Sequence, residues 1–277
     1  MYTTITYKPT TPSLRFKCLI NKSCLWSGKK IDSLVNIIKT TSGRNKNGKT
    51  ILYTRSKSYY KKIYRNINFN YSNFGISYKI LRIEYDPNRS AFINLIYFKN
   101  NVLSYFLNIS GTKIADIRYS YLGASFKVMS EKGTTSLLKY IPNNTIISVV
   151  EGKPLCGAIY TRSAGAYSLL IEKYFNLGKA LVKLKSGKLK FIWLNSKATI
   201  GMIGNYLFKQ VISGKAGRSR WFGIKPNVRG VAMNPVDHPH GGGQGKKSKK
   251  ASPRTSWGKL LKWKKTSTSR FILKRKA

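Results

Sequence analysis

Acidic residues are scarce in this chain. Eight Asp and Glu stand against 52 Lys and Arg, and the formal net charge at pH 7 is +44. A free chain with this charge repels itself strongly, so a polyanionic partner is expected. Because cations that contact phosphates release condensed counterions, nucleic acid is the partner that the composition favours.

Long apolar runs are absent as well. No stretch approaches the roughly 18 uninterrupted apolar residues of a membrane-spanning helix, and the basic residues are spread along the whole chain. A membrane surface is therefore the weaker partner, and no membrane association is predicted. The first residues, MYTTITYKPTTPSLRFK, show neither a signal-peptide core nor an Arg-rich amphipathic pattern. The hydrophobic residues, 42% of the chain, still suffice to form real cores.

Cysteine is rare, with Cys18, Cys24 and Cys156 in 277 residues. An odd, sparse set argues against a disulfide framework and suits a reducing compartment. Cys18 and Cys24 are also too far apart for the close pairing of a zinc finger. The Gly-rich element at 241–243 does not match a phosphate-binding Gly-x-x-x-x-Gly-Lys-Ser/Thr loop between a strand and a helix. A Gly-x-Ser-x-Gly nucleophile motif is absent as well.

Histidine occurs twice, as His238 and His240 in the stretch NPVDHPHGGGQGKK. A metal site would need further ligands, and an acid–base site would need a partner carboxylate, but Asp237 is the only acid nearby. Contact with nucleic acid is favoured over both, because the triple glycine lets backbone N–H groups approach an anion and imidazoles can stack or donate. A metal-dependent nuclease built on the two histidines remains the enzymatic alternative.

Four segments follow from the pattern of composition. Residues 1–58 are rich in Pro, Gly, Ser, Thr and Asn and predict an extension laid on another surface, with one short helix near 31–38. Residues 59–130 contain short strands at about ten-residue spacing, which is typical of a small barrel. Residues 131–200 form a second β region. Residues 201–277 predict a basic extension that cannot bury a core of its own.

Two turns are predicted in the first β region. Pro87 and Asn88 suit the middle of a tight turn within Asp86-Pro-Asn-Arg89. The pair Asn100-Asn101 predicts a two-residue hairpin turn before the next strand. We therefore expect antiparallel strands on both sides of each turn.

A lysine-rich hairpin is predicted at residues 181–193, with its turn at Ser186-Gly187. Alternation places one apolar set on the buried face and one lysine set on the opposite face. The apolar set is Val182, Leu184, Leu189, Phe191 and Trp193, and the lysine set is Lys183, Lys185, Lys188 and Lys190. Two interpretations of the lysine face stay open, a solvated face that protects an edge strand and a phosphate contact.

Basic and aromatic residues interleave in RSKSYYKKIYR, residues 55–65. Lys and Arg can hold an RNA backbone while Tyr59 and Tyr60 stack on bases. Tyr64 is expected instead to begin the core of the first barrel.

Residues 218–243, RSRWFGIKPNVRGVAMNPVDHPHGGG, closely resemble the signature of the universal large-subunit ribosomal protein family L-two. Residues 8–12, 83–91, 162–167 and 198–205 resemble further family segments in the same order. The resemblance implies an all-β fold, with an OB-fold barrel followed by an SH3-like barrel and long irregular basic N- and C-terminal extensions. In those terms residues 1–58 are an rRNA-binding extension, and the Gly-rich loop lies in the C-terminal one.

The resemblance also implies a role in translation without catalysis. It implies a structural constituent of the large ribosomal subunit that binds its rRNA, neighbours other ribosomal proteins, and supports subunit association across an intersubunit bridge. It further implies indirect support of tRNA binding and of the architecture around the peptidyl-transferase centre. The drifted bacterial type predicts a ribosome of the mitochondrial matrix, with a plastid or the bacterial cytoplasm as alternatives. A free RNA-binding or RNA-chaperone module is the competing interpretation.

One departure from the family lies after Arg55, where the family's Gly-Gly-Gly-His loop is replaced by Ser56-Lys-Ser-Tyr-Tyr60. Tyrosine stacking is expected to replace close backbone contact there. No catalytic residue, metal site or cofactor is predicted, and Mg²⁺ or K⁺ ions bridging to rRNA are assigned to no site. The predicted rRNA contacts are Arg44, Lys46, Arg55, Lys57, Tyr59, Tyr60, Lys61, Lys62, Arg65, Arg89, Arg162, Ser163, Ala164, Gly165, Lys215, Arg218, Arg220, Trp221, Arg229, Asn234, His238, His240, Gly241, Gly242, Gly243, Lys246 and Lys247.

Overall fold

The structure, a computed structural model, describes residues 3–37, 41–58, 63–71, 75–121, 131–244, 252–260 and 272–273. Within these ranges the helices are short: one α-helix, α1 (Gly217–Trp221), and the 3-10 helices Asp32–Leu34, Tyr206–Gln210 and Gly230–Ala232. In the described part of the chain, no helix has the length and apolar character needed to cross a membrane. The predicted all-β class is confirmed.

Strands make up nearly all of the regular structure. They are β1 (Thr4–Thr6), β2 (Cys18–Ile20), β3 (Val35–Ile37), β4 (Ile63–Arg65), β5 (Ser77–Glu84), β6 (Ile93–Phe98), β7 (Leu103–Leu107), β8 (Ile117–Tyr121), β9 (Thr135–Leu137), β10 (Ile146–Ser148), β11 (Val150–Glu151), β12 (Ala158–Tyr160), β13 (Ser168–Tyr174), β14 (Lys179–Lys183), β15 (Leu189–Trp193), β16 (Lys197–Ile200) and β17 (Ile272–Leu273). One sheet holds eleven of these strands in the order β17-β15-β14-β13-β10-β16-β9-β8-β5-β6-β7.

Two separate cores lie along this sheet. The first is formed mainly by β5, β6 and β7 and includes Ile80, Ile96 and Tyr105. The second is formed mainly by β10 and β13–β16 and includes Ile147 and Leu170. Both belong to one compact unit, made of Met1–Ile38, Lys62–Lys215 and Arg270–Ala277, while Lys39–Lys61 and Ala216–Ser269 make a second unit.

The two cores are joined by a parallel pair, β8 and β9, and by buried hydrogen bonds. The Tyr78 hydroxyl donates to the Gly133 carbonyl (2.9 Å), and the Tyr71 hydroxyl lies 2.8 Å from the Thr199 hydroxyl. Burial raises the pKa of Tyr71 to about 12, so this hydroxyl stays protonated at neutral pH. The joint is therefore neutral and fully hydrogen-bonded at these two tyrosines.

The N-terminal segment is more integrated than an extension. Leu25 is buried with Ile83 and Phe92 in a third, smaller core. The backbone N–H of Trp26 donates to the Ile83 carbonyl (2.8 Å). The predicted helix near 31–38 is a single 3-10 turn, Asp32–Leu34, followed directly by β3. Apolar contact with Ile83 of β5 and with Phe92, just before β6, explains why this segment folds onto the first β region.

Both predicted two-residue hairpin turns are wrong by one residue. Phe98 N–H donates to the Val102 carbonyl (3.0 Å), so that loop holds three residues and ends at Asn101, which has φ +63°. Leu184 N–H donates to the Lys188 carbonyl (2.9 Å), which gives a second three-residue loop. A three-residue loop commonly ends on a left-handed residue, and one extra residue exchanges the faces of the strand that follows.

The exchange of faces corrects the predicted lysine set. Lys190 pairs with Val182 and is buried, and its ammonium donates to the Tyr160 hydroxyl. Trp193, predicted to be buried, is 41% exposed. The three other lysines of the set stay exposed, namely Lys183, Lys185 and Lys188.

Two further predictions at the segment borders are wrong. Tyr64 is half-buried in β4, and Ile67 and Phe69 pack against the first core in its place. Ile203, assigned to the C-terminal extension, is fully buried in the first core. The chain thus returns to the first barrel after completing the second, which alternation within single strands cannot reveal.

Candidate nucleic-acid interface

The turn at Asp86-Pro-Asn-Arg89 is built around a buried carboxylate. Asp86 accepts hydrogen bonds from the Asn88 backbone N–H (2.8 Å) and from Arg89 Nε (2.5 Å). This confirms the predicted tight turn, an Asx-type arrangement. The Arg89 side chain is only 18% exposed because it compensates Asp86. Little of the Arg89 guanidinium therefore remains exposed for the predicted contact with rRNA.

The predicted contact loop at Arg162–Gly165 is fixed to that turn. The Ala164 N–H donates to Ser90 Oγ (3.1 Å), and the Gly165 N–H donates to the Gly204 carbonyl (3.2 Å). Gly165 has φ +58°, and a Cβ there would lie 3.0 Å from Tyr206 Cα, so a side chain would not fit. Arg162 and Ser163 are exposed at the tip of the loop.

Phe69 brings two predicted contacts together. The guanidinium of Arg162 lies 5.1 Å from its ring centroid, and that of Arg89 lies 5.9 Å away. Both distances are within the range of cation–π attraction. The first β region and the second therefore present their cations side by side, although the two residues are far apart in sequence.

Arg65 serves an internal ion cluster. Its Nε lies 3.7 Å from a carboxylate oxygen of buried Glu84, whose other oxygen accepts from Arg82 Nε (2.7 Å). The Tyr105 hydroxyl also donates to Glu84 (3.0 Å), and burial together with this carboxylate raises the pKa of Tyr105. Arg65 and Arg82 thus share the single charge of Glu84, and the cluster keeps a net positive charge.

In the second unit, residues 41–58 pack on the segment that contains α1. The Ser56 N–H donates to the Gly223 carbonyl (2.9 Å), and Ser58 Oγ donates to the Trp221 carbonyl (3.0 Å). Gly223 has φ +73°, and a Cβ there would lie 2.5 Å from the Ser56 carbonyl oxygen. The predicted contacts that this packing leaves exposed are Arg44, Lys46, Arg55, Lys57, Arg220, Trp221 and Arg229.

Both histidines accept hydrogen bonds from the backbone. The His240 N–H donates to His238 Nδ1 (3.0 Å), and the Arg254 N–H donates to His240 Nε2 (3.1 Å). An acceptor nitrogen carries no proton, so His238 is the Nε2-protonated tautomer and His240 the Nδ1-protonated one. The two rings lie 4.8 Å apart between centroids. His238 therefore stabilises the loop internally, and His240 joins the loop to the tail at Arg254.

The glycines of this loop have a different role from the predicted one. A Cβ on Gly241 would lie 2.4 Å from the Asn234 carbonyl oxygen, and a Cβ on Gly242, with φ +76°, would lie 2.5 Å from Pro235 Cγ. Gly241 is buried, whereas Asn234, Gly242 and Gly243 are exposed. Gly241 and Gly242 thus allow the loop to pack closely against its own residues 234–235. Only the exposed backbone at Gly242 and Gly243 can approach an anion.

The remaining predicted contacts fall into three groups. Arg218 is half-buried in α1, and Lys215 is exposed at the end of the first unit. Tyr59, Tyr60, Lys61, Lys62, Lys246 and Lys247 lie outside the described residues. Across the described part of the chain, no group of three or more His, Cys, Asp or Glu side chains could hold a metal ion.

One aromatic pair escaped the sequence reasoning. The rings of Tyr53 and Trp257 stack, with 5.3 Å between centroids and 20° between planes. They are 59% and 44% exposed, so the pair forms a flat apolar surface on the second unit. Each aromatic residue has basic neighbours in the sequence, in LYTR and in RTSWGK, which is a pattern typical of RNA contacts. That Tyr53 and Trp257 stack on each other could not be predicted from the sequence.

Comparison with known proteins agrees with this arrangement. The family model described as "Ribosomal Proteins L2, RNA binding N-terminal domain" matches residues 31–120, and "Ribosomal Proteins L2, C-terminal domain" matches residues 131–258. Proteins named "Large ribosomal subunit protein uL2" are similar over 98% of both chains, with 44% identity in Orientia tsutsugamushi (strain Ikeda) and 43% in Rickettsia felis (strain ATCC VR-1525 / URRWXCal2) and Rickettsia canadensis (strain McKiel). The chain therefore belongs to the ribosomal protein L2 family.

Proposed function

We propose that this chain is a structural constituent of the large ribosomal subunit and binds large-subunit rRNA. Family membership supports this proposal, because the matching N-terminal model is described as RNA-binding. The distribution of charge supports it independently. Exposed cations occur in both units, whereas several of the few carboxylates are buried or paired with the protein's own cations.

The carboxylates carry this argument. Glu84 and Asp86 are buried against arginines, and Asp116 and Glu131 both pair with Arg118 at 2.8 and 3.3 Å. Glu151 is fully buried and accepts from the Lys197 backbone N–H (2.9 Å). Burial withdraws Glu84, Asp86 and Glu151 from the surface. The acids that stay exposed, Asp32, Glu131, Glu172 and Asp237, are few beside the exposed cations. A surface of this kind binds a phosphate backbone.

We further propose that the chain positions RNA and catalyses no reaction. The lone pairs that His238 and His240 would need for proton transfer or metal binding are already used by backbone N–H groups. The finer roles implied by the family follow from positioning: contact with neighbouring ribosomal proteins, an intersubunit bridge to the small subunit, and indirect support of tRNA binding and of the peptidyl-transferase surroundings.

The compartment belongs to the same proposal. The relatives above are bacterial, which supports a ribosome of bacterial type. The high content of Ile, Asn, Lys and Tyr supports a mitochondrial matrix ribosome, with the plastid and the bacterial cytoplasm as alternatives. Cell fractionation with an antibody against this chain distinguishes the three.

Depletion of the chain in its source cells tests the proposal. A structural constituent predicts loss of complete large subunits in sucrose gradients, with a precursor particle accumulating in their place. Complete, active large subunits after depletion would contradict it and favour a free RNA-binding module. A chain carrying both His238→Ala and His240→Ala should restore fewer complete subunits, while the subunits that do form retain their rate of peptide-bond formation.

A further inference from the structure

We propose that the second β region contains a cleft that holds one nucleotide extruded from the rRNA. This inference rests on the proposed function, because it presumes that rRNA is the partner. The cleft has a volume of about 380 Å³ and lies between residues 159–166 and the tip of the β14–β15 hairpin, residues 184–186. Ligand-binding clefts typically measure about 300–1,000 Å³.

A hydrogen bond shapes the cleft. The Lys185 ammonium donates to the Gly165 carbonyl (2.6 Å) and so joins the hairpin tip to the predicted contact loop. An ammonium group has three donors, so two remain for a second acceptor such as a phosphate oxygen. The three-residue hairpin loop makes this contact possible, because it places Lys185 at the tip.

The walls combine apolar and cationic groups. Ile159 is 51% exposed, and Leu184 lines the opposite side, which gives apolar surface suited to a base. Arg162 lines the mouth and is exposed, with its guanidinium 5.1 Å from the centroid of the Phe69 ring, and a guanidinium can stack on a base. No carboxylate occurs among the lining residues. An apolar slot with a cationic rim matches a base with its phosphate.

The backbone beside the cleft is strained. Thr161 has φ +51°, an uncommon conformation for a β-branched residue. The Val149 N–H, which donates to the Thr161 carbonyl (3.1 Å), helps to hold it there. Backbone strain of this kind is typical of ligand-binding segments. Here it turns Arg162 and Ser163 outward at the mouth of the cleft.

An RNA strand is favoured over a protein segment as the source of the occupant. Sequence-specific RNA recognition commonly takes single unstacked bases, which are stacked on aromatic or guanidinium planes. The cleft is lined by the cations Arg162 and Lys185 and by no carboxylate, which favours a phosphate-bearing strand.

The test fills the cleft in large subunits reconstituted with the full-length chain. Ser186→Trp places an indole at the exposed hairpin tip that lines the cleft, and Asn176→Trp places one at the exposed β13–β14 turn as a matched control. The probe is an acylating reagent for the 2′-hydroxyl groups of the rRNA. We expect one nucleotide to be protected with the original chain and with Asn176→Trp, and to become reactive with Ser186→Trp.

A second variant guards against a local folding defect. Ile159→Ala removes part of the apolar wall without adding bulk, and it should raise the reactivity of the same nucleotide to a smaller extent. Equal reactivity of every nucleotide across the four chains would overturn the proposal, and so would a protein segment in the cleft of the assembled subunit. Failure of the original chain to enter large subunits at all would instead refute the proposed function.

Discussion

At the residue scale, His238 and His240 are the most informative side chains. Each accepts a backbone hydrogen bond through a different ring nitrogen, so neighbouring histidines hold opposite tautomers. Each ring keeps one N–H that is not used by these bonds, Nε2–H on His238 and Nδ1–H on His240. These two N–H groups are the donors that the loop can offer to a phosphate or a 2′-hydroxyl.

Nitrogen NMR tests the tautomers directly. The chain contains only these two histidines, so labelling it with ¹⁵N-histidine and reconstituting it into unlabelled subunits gives four ring signals. We expect an unprotonated Nδ1 for His238 and an unprotonated Nε2 for His240. The same tautomer in both rings, or two doubly protonated rings at pH 7, would contradict the backbone bonds described above.

Gly242 gives a second prediction at this scale. Gly242→Ala and Gly258→Ala both place a side chain at positive φ, +76° and +79°, at a cost of about 1 kcal/mol. Only at position 242 would the new Cβ also meet a neighbour, Pro235 Cγ at 2.5 Å, whereas nothing lies within 4 Å at position 258. In a salt titration, the Gly242→Ala chain should therefore dissociate from large subunits at clearly lower salt than the Gly258→Ala chain. Equal losses would show that the fold of the loop does not matter for retention.

At the scale of elements, the N-terminal segment and its small core decide how much of the extension is folded. Leu25 packs on Ile83 of β5 and on Phe92, which directly precedes β6. Leu→Ala in a core costs about 2–5 kcal/mol. In limited trypsin digestion of the free chain, cleavage near Lys17 and Lys22 should be slow and should accelerate strongly with Leu25→Ala.

The control for this digestion is Ile37→Ala, because Ile37 is 89% exposed in β3. Its effect on the same cleavages should be small. Rapid cleavage near Lys17 in the original chain would mean that the segment is an unfolded extension, as the composition of residues 1–58 predicts. Cleavage within residues 41–58 and 216–244 should precede cleavage within β5–β16, because those loops have few buried apolar contacts.

The contact between β11 and β16 gives a prediction about pH. Burial raises the pKa of Glu151 above its ordinary value of 4.5, and the Lys197 N–H and ammonium only partly oppose this. A raised folded-state pKa of a carboxyl stabilises the fold fully below the unfolded-state pKa, and this stabilisation is lost as pH rises through the folded-state pKa. The free energy of unfolding of Glu151→Gln should therefore improve relative to the original chain as pH increases above about 4.5.

Urea unfolding of the free full-length chain at several pH values between about 4 and 8 measures this difference. The Glu172→Gln variant serves as the control, since Glu172 is exposed on β13. A free energy of unfolding of Glu151→Gln that falls relative to that of the original chain as pH rises would show that the carboxyl is stabilised as an anion.

Features formed by residues close together in the chain were predictable from the sequence, and contacts between distant residues were not. The turn at Asp86 was predictable because its carboxylate, Asn88 and Arg89 are neighbours in the chain. The faces of β15 were assigned wrongly because a loop of two residues and one of three look alike in sequence. Other contacts join residues far apart in the chain, and the periodicity of the sequence does not encode them. Examples are the packing of Leu25 on Ile83, the approach of Arg162 and Arg89 to Phe69, and the hydrogen bond from Arg254 to His240.

At the scale of the whole molecule, the chain combines few acids, some of them buried against arginines, with many exposed cations. In the described part of the chain only a few cations pair with an acid, and Arg82 and Arg89 do so with the buried carboxylates of Glu84 and Asp86. The folded protein thus keeps nearly all of its formal charge of +44 for a polyanion. Such a charge destabilises the free protein through self-repulsion and is relieved by rRNA.

The most direct test of this account is the stoichiometry of the endogenous chain on ribosomes after a high-salt wash. Particles are separated on sucrose gradients in about 0.5 M salt, where exposed electrostatic contacts are strongly screened, and the chain is quantified by mass spectrometry against other large-subunit proteins. We predict one copy per large subunit and none on the small subunit. Recovery of the chain only in ribosome-free fractions would contradict the account.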